Sequence, residues 1–143
     1  MAQEPEYLSS ATLIILADDL DPQEVTEQLG LQPNRSWCKG EQKSFVRNNG
    51  TVRKFNDVYE WGGWKCFLPE EKKHLNLAEQ LSHWCDALEG RESAMRELER
   101  QGYSLEINCY ISTAATASII LSADLQKRLA DLRLDLFFDI FKK

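Results

Sequence analysis

Residues 13–33, LIILADDLDPQEVTEQLGLQP, constrain the fold more than any other stretch of this chain. They follow Thr12, and the apolar run 12–17 is typical of a strand covered on both faces. Asp21 stands directly before a proline, which indicates a helix start, because its carboxylate can accept from the free amides of the first turn. Gly30 favours the left-handed conformation that ends a helix. We therefore expect a strand and a short helix joined by an acidic turn.

The middle of the chain is predicted to be rich in strands. Residues 31–41 are predicted to form a loop that carries Trp37. The pair Asn49-Gly50 indicates a basic β-hairpin between segments 44–47 and 51–55. In the aromatic segment 58–68, the glycines at 62–63 are either a two-residue turn or a bulge in one long strand. We favour the bulge, because a turn would leave two strands of only about four residues each.

The second half predicts three further helices and three further strands. The longest helix begins at Pro69 and carries an apolar stripe that ends at Gly90, a second spans 92–100, and Ser122 caps a third. Residues 103–112 alternate between apolar and polar side chains, which is typical of a half-buried strand, and the strand patterns 117–121 and 134–141 follow. The stripe of the longest helix consists of Leu77, Ala78, Leu81, Trp84, Cys85 and Leu88.

The two ends of the chain share a pattern. IILA at 14–17 recurs as IILS at 119–122, DL at 19–20 recurs at 124–125, and LGL at 29–31 recurs as LRL at 132–134. An internal duplication and simple convergence both explain this pattern. With 143 residues, 43% of them hydrophobic, we expect a single two-layer α+β domain over 1–143: a mainly antiparallel sheet with helices packed on one face, and 1–10 loosely ordered.

Together these segments resemble the bacterial family called domain of unknown function 4279, over roughly residues 13–141. The most specific element is the pattern DPQEVTEQLGLQP at 21–33. The resemblance implies a small cytosolic α+β protein and supplies no catalytic residues. Such proteins are similar to the immunity proteins encoded beside bacterial toxins, a step that rests on analogy.

Charge, apolar run length and cysteine content limit the expected ligands and the expected cellular compartment. The net charge of −6 disfavours a general nucleic-acid binder, although residues 35–54 hold six bases against one acid. The longest apolar run has five residues, too short to span a membrane, so we expect a cytoplasmic protein. The four cysteines contain no CxxC pair and are expected to be structural thiols. His83 and Cys85 face different sides of a helix, and we predict no metal site and no cofactor.

Our leading hypothesis is a non-enzymatic immunity protein that neutralises a cognate bacterial toxin, for which a nuclease is one class, as in contact-dependent growth inhibition or another polymorphic toxin system. It would cover the toxin's active or substrate-binding surface, because acidic groups suit a basic cleft and exposed aromatics form binding hot spots. The aromatic-rich candidates for this contact are Trp37, Asp57, Tyr59, Glu60, Trp61 and Trp64. An alternative acidic patch consists of Asp18, Asp19 and Asp21.

Two other interpretations stay open. The basic segment 35–54 with Trp37 suits an RNA- or phosphate-binding module, because cations interleaved with an aromatic ring bind phosphate and stack on bases. A small cytosolic ligand-binding protein is the further alternative. Catalysis is disfavoured, because the chain has no Ser-His-Asp order, no HExxH motif and no glycine-rich phosphate loop. The toxin, its binding surface and the oligomeric state are not given by the sequence.

Overall fold

The computed structural model describes residues 6–47 and 49–143. Within them the chain forms seven strands, four α-helices and one short 3₁₀ turn, Glu70–Lys72. The strands are β1 (Leu8–Ala17), β2 (Arg35–Trp37), β3 (Gln42–Val46), β4 (Val52–Val58), β5 (Gly62–Cys66), β6 (Ser104–Thr113) and β7 (Asp135–Lys142). The helices are α1 (Pro22–Leu29), α2 (Leu77–Ala87), α3 (Glu92–Arg100) and α4 (Ala123–Asp131).

Five of the strands form one sheet in the order β2-β5-β1-β6-β7. Every pair in it is antiparallel except β6 and β7, which run parallel and are joined through α4. The remaining strands, β3 and β4, form a separate antiparallel hairpin. The fold is therefore mixed α+β with a mainly antiparallel sheet, as predicted. The predicted hairpin is confirmed, although Asn48 lies outside the described residues.

The helices cover one face of the sheet. On that face β1 contributes Leu13 and Ile15, and β6 contributes Ile107 opposite Leu13, all of them fully or almost fully buried. Trp84 of α2 fixes the helix layer to the sheet, because its Nε1 donates a hydrogen bond to the Ala11 carbonyl at 2.9 Å. The opposite, open face of β1 is only half-buried, so the prediction of a strand covered on both faces is wrong.

The opening helix forms as the sequence predicts. Asp21 caps α1 by accepting from the Gln23 amide at 3.1 Å, and Gly30 ends it with φ of 68°. Val25 and Leu29 are buried on the side that faces the sheet. The strand before this helix starts earlier than expected, because Leu8 and the two serines after it pair with β6, which corrects the loose order predicted for residues 8–10.

The longest helix begins later than predicted. The proline and two glutamates at 69–71 open only the 3₁₀ turn, and α2 starts at Leu77 behind a new cap, Asn76, whose side chain accepts from the Glu79 amide at 2.9 Å. Asparagine is among the strongest helix-capping residues, so the segment divides where a second cap is available. The apolar stripe that defined the helix is buried as expected.

Three other local predictions were wrong. Gly62 and Gly63 form neither a turn nor a bulge but lie inside β5, which is separated from β4 by residues 59–61. The predicted loop 31–41 contains β2, paired with β5. Residues 117–121 form no strand; they lie in an irregular connection from β6 to α4.

The sequence pattern shared by the two ends corresponds to a shared structure only in its helical half. Arg133 has φ of 59°, and it is the single non-glycine residue with positive φ in the described ranges. It occupies the position that matches Gly30, so both helices end in a left-handed residue. Because the matching segment before α4 is not a strand, the architecture does not repeat the whole unit. No helix in the described ranges is both long and apolar enough to cross a membrane.

Candidate functional site

A stacked pair of aromatic rings lies where the hairpin meets the edge of the sheet. Trp37 on β2 is opposite Gly63 on β5, and the glycine leaves room for the indole, because a Cβ there would overlap the ring. Tyr59, just after β4, stacks on Trp37 with ring centroids 4.7 Å apart and planes inclined by 20°. Both rings are thereby held between the sheet and the base of the hairpin, and Trp37 is only 8% exposed.

Three cations surround this aromatic pair. The Arg35 guanidinium donates to the Ser44 carbonyl at 2.9 Å and to the Tyr59 hydroxyl at 3.2 Å, and it lies 5.8 Å from the Trp37 ring centroid. Lys43 lies 5.9 Å from the Tyr59 centroid, and Lys65 lies 5.6 Å from that of Trp37. Desolvation, with repulsion by Arg35 second, lowers the pKa of Lys65. Each cation of the cluster thus has a ring or an acceptor beside it.

Trp61 extends from this cluster into solvent and is 49% exposed. Its backbone is fixed, because its carbonyl accepts from Trp37 Nε1 at 3.1 Å and its neighbour Gly62 lies in β5. Glu60 beside it has no ion pair or hydrogen bond in the described part of the chain. A half-exposed indole on a fixed backbone is the kind of side chain that anchors protein interfaces.

Two shallow clefts flank the stacked rings. The larger has a volume of about 670 Å³ and is lined by Arg35, Trp37, Tyr59 and Phe67 together with polar groups of the hairpin base. The smaller, about 320 Å³, lies between Lys43, Tyr59, Glu60 and Trp61. Both contain aromatic surface and charge, which suits a protein segment with polar and apolar side chains better than a purely apolar ligand.

The predicted aromatic candidates thus divide into three groups. The candidate list needs correction at Trp64, because this residue is 0% exposed on the helix-covered face. Its Nε1 donates a hydrogen bond to Thr26 Oγ1 of α1 at 3.1 Å, so Trp64 belongs to the core. Trp37 is almost fully buried and supports the site by stacking on Tyr59. Tyr59 is half-buried, whereas Trp61 is accessible and is therefore the strongest remaining aromatic candidate.

The predicted carboxylates are less concentrated than the sequence implied. Asp57 pairs with Lys43 at 3.2 Å, and Asp18 pairs with Lys39 at 2.9 Å, both on the exposed surface. Asp21 caps α1, and Asp19 is exposed beside it without an ion pair in the described ranges. The three aspartates of this turn therefore have separate surroundings, and the acidic patch stays a prediction.

Sequence reasoning missed two members of the site. Lys65 was not singled out, and Arg35 was counted only as part of a basic segment. The pairing of Arg35 with Lys65 across β2 and β5 brings both to the face that carries Trp37. The alternation in Arg35-Ser36-Trp37 is a strand signal that could have placed Arg35 and Trp37 together, but three residues are too few for it to be recognised against a Pro- and Gly-containing loop.

Burial dominates the pKa shifts of three of the thiols and of His83. Burial raises the pKa of the Cys109 thiol to about 12, and it also raises the pKa of Cys66 and Cys85. Burial, and then repulsion by Lys72, lowers the pKa of His83. In the described ranges no group of three or more His, Cys, Asp or Glu side chains is arranged to hold a metal ion.

Comparison with known protein families finds a match over nearly the whole sequence. The family model described as domain of unknown function (DUF4279) matches residues 6–142. The chain belongs to this family. The predicted family resemblance is thereby confirmed over nearly the full sequence, whereas the similarity to immunity proteins stays a prediction. No curated protein and no solved structure matches this DUF4279 chain.

Proposed function

We propose that this chain is a protein-binding immunity protein that covers the active or substrate-binding surface of a cognate bacterial toxin domain. The observation that supports this proposal is the half-exposed indole of Trp61 on the fixed cluster of Trp37 and Tyr59. Binding energy at protein interfaces is concentrated in a few Trp, Tyr and Arg side chains surrounded by weaker contacts. Because the backbone of Trp61 is already held in the free protein, Trp61 loses little backbone freedom on binding, which favours affinity.

The charge of the molecule supports a basic partner. The chain carries a net charge of −6, and Glu60 lies next to Trp61 with no cation paired to it in the described part of the chain. An acidic protein is attracted to the basic cleft of an enzyme that binds nucleic acid, so association is accelerated at low salt. The net charge and Glu60 therefore favour a nuclease as the toxin class, and the cations around the stacked rings, Arg35, Lys43 and Lys65, would meet carbonyl or acidic groups of such a partner.

The test is co-expression with the product of the neighbouring gene, with growth and co-purification as readouts. We expect growth to be rescued by the wild-type chain. Trp61→Ala should weaken the purified complex by about 30-fold or more, the effect of losing a hot spot of roughly 2 kcal/mol. Glu60→Lys should mainly slow association and reduce its dependence on salt.

Ile120→Ala is the matched control, because this apolar side chain is 82% exposed but lies in the connection before α4, outside the Trp61 cluster. It should leave rescue and affinity unchanged. Absence of both rescue and co-purification would remove the immunity proposal. A complex that Ile120→Ala weakens as much as Trp61→Ala does would contradict the placement of the interface at Trp61.

A second candidate is binding of single-stranded RNA by the hairpin. Arg47, Arg53 and Lys54 have no ion pair in the described ranges, and Arg53 lies 5.5 Å from the Phe55 ring. The burial of Trp37 removes the ring that was expected to stack on bases. RNA binding predicts retention of a labelled oligonucleotide that falls steeply with added salt. No retention at low salt would exclude it.

A further inference from the structure

The two edges of the five-stranded sheet are protected very differently. At one edge, β2 has only three residues, and the hairpin lies against it through Arg35, which donates to the Ser44 carbonyl, and through Tyr59, which stacks on Trp37. At the other edge, β7 has eight residues with no proline and no glycine. Proteins usually shorten, charge or cover their edge strands to prevent pairing, so β7 is the unusual edge.

β7 also carries exposed apolar side chains on both of its faces. Phe138 and Ile140 project to the helix side, where they are 42% and 66% exposed, and Phe137 and Phe141 project to the open side, where they are 52% and 51% exposed. Since a large aromatic side chain presents about 200 Å², the strand exposes roughly 400 Å² of apolar surface. Tyr110 of β6 enlarges this patch, because its ring stacks on Phe141 at 4.9 Å.

The charged residues of β7 do not protect it against pairing. Asp139, in the middle of the strand, accepts a hydrogen bond from Asn108 Nδ2 at 3.0 Å, so its carboxylate is held over the sheet by β6. The other charges lie at the strand ends, with Asp135 at the start and Lys142 and Lys143 at the end. In an antiparallel pair of identical strands, the acidic start of one copy lies near the basic end of the other, which makes β7 complementary to itself.

We propose that β7 pairs with the β7 of a second copy of this chain, antiparallel about a two-fold axis, to form a dimer with a continuous ten-stranded sheet. A two-fold axis closes the assembly at two copies, because each copy uses its one unprotected edge. The backbone edge and the aromatic patch supply the contact. The interface is at the small end of specific interfaces, so the dimer dissociates on dilution.

The side chains select one register. Centring the pair on Phe138 places this residue opposite its own copy and places Leu136 opposite Ile140, which joins apolar groups on the helix side. On the open side, Asp135 then lies diagonal to Lys143, within reach of an ion pair. Centring the pair on Asp139 would instead place two like charges opposite each other, which is unfavourable.

Sedimentation velocity of the wild-type chain tests the dimer over roughly 1 to 200 µM, the range in which a contact of this size is expected to associate. The mass should rise from 16.5 kDa toward twice that value. Ile140→Lys should shift the chain to monomer. Ile120→Lys is the matched control, because Ile120 is 82% exposed in the connection before α4, and it should dimerise like the wild type.

A cysteine cross-link tests the register. Opposite residues of an antiparallel pair have Cα atoms about 4.5 to 5.5 Å apart, within the range that a disulfide spans. Phe138→Cys should therefore form a covalent dimer under mild oxidation, whereas the wild type and Ile120→Cys should not. The proposal is overturned if the wild type stays monomeric, if Ile140→Lys still dimerises, or if Phe138→Cys cross-links no better than Ile120→Cys. Circular dichroism verifies that each variant is folded.

Discussion

The indole of Trp37 lies against the bare backbone of Gly63, and in this position the ring stacks on Tyr59 at the base of the hairpin. A methyl group at Gly63 would overlap the ring, so Gly63→Ala forces Trp37 out of its position. We expect a loss of about 1 to 3 kcal/mol in the free energy of unfolding, the usual cost of overpacking. Urea denaturation measures this loss.

The control for this prediction is the same substitution in a Trp37→Ala background. Without the indole, the methyl group has space, so Gly63→Ala should cost less than half of its value in the wild type. Equal costs in the two backgrounds would show that the glycine is needed for a reason other than the ring.

Arg133 is the left-handed residue that ends α4, and its side chain is held by Glu99, with Nε 3.0 and 3.1 Å from the two carboxylate oxygens. Arg133→Ala and Arg133→Gly both remove this exposed ion pair. We expect the glycine variant to be the more stable by about 1 kcal/mol, because only glycine adopts positive φ without a steric cost. Thermal and urea unfolding of the two variants decide the order, and a more stable alanine variant would contradict it.

Asn76 is the cap that sets where α2 begins. Asn76→Ala should lower the free energy of unfolding by about 1 kcal/mol, because the Glu79 amide loses its acceptor, whereas Asn76→Asp should retain the cap. Glu70→Ala, in the 3₁₀ turn where the sequence predicted the helix to begin, should change stability by less than about 0.5 kcal/mol. Urea denaturation compares the three variants. A larger loss at Glu70 than at Asn76 would return the helix start to residue 70.

Cys109 is fully buried on β6, and burial raises the pKa of its thiol to about 12. The unfolded chain loses this proton at lower pH than the folded chain, since an ordinary thiol has a pKa near about 8.5. The stabilising contribution is therefore complete below pH ~8.5 and is lost as pH rises from there toward 12. Cys109→Ala should show a shallower loss of stability in this window, measured by urea unfolding at several pH values. An unchanged slope would contradict the assignment to Cys109.

Local signals predicted most of the elements and few of the contacts between them. Some predictions depend only on neighbouring residues: the helix caps at Asp21 and Ser122 and the alternation of 103–112. Each of them is confirmed. The start of α2 was misplaced, because the proline at 69 is as good a start signal as Asn76, and only the packing of Leu77 decides between them. The strand predicted at 117–121 failed because a short apolar run has no periodicity that distinguishes a strand from a connection.

The aromatic content of one segment predicted the candidate site, and the strand pairing corrected which of its residues belong to that site. Three tryptophans in one segment indicated more aromatic surface than a single sheet face hides, but the sequence does not say which one is exposed. Strand parity separates two of them, because Trp64 lies opposite Ile15 on the helix side whereas Trp37 lies opposite Gly63 on the open side, and Trp61 is exposed in the connection before β5. That pairing depends on β2, an element too short to be recognised from its own residues.

The uneven burial of the four indoles gives the protein an internal optical reporter. Trp37, Trp64 and Trp84 are shielded from water, and each donates its ring N–H to a protein oxygen, so their emission is fixed by the fold. Trp61 alone is half in water. A ligand that covers the site should therefore move only its contribution to shorter wavelength, without any label attached to the chain.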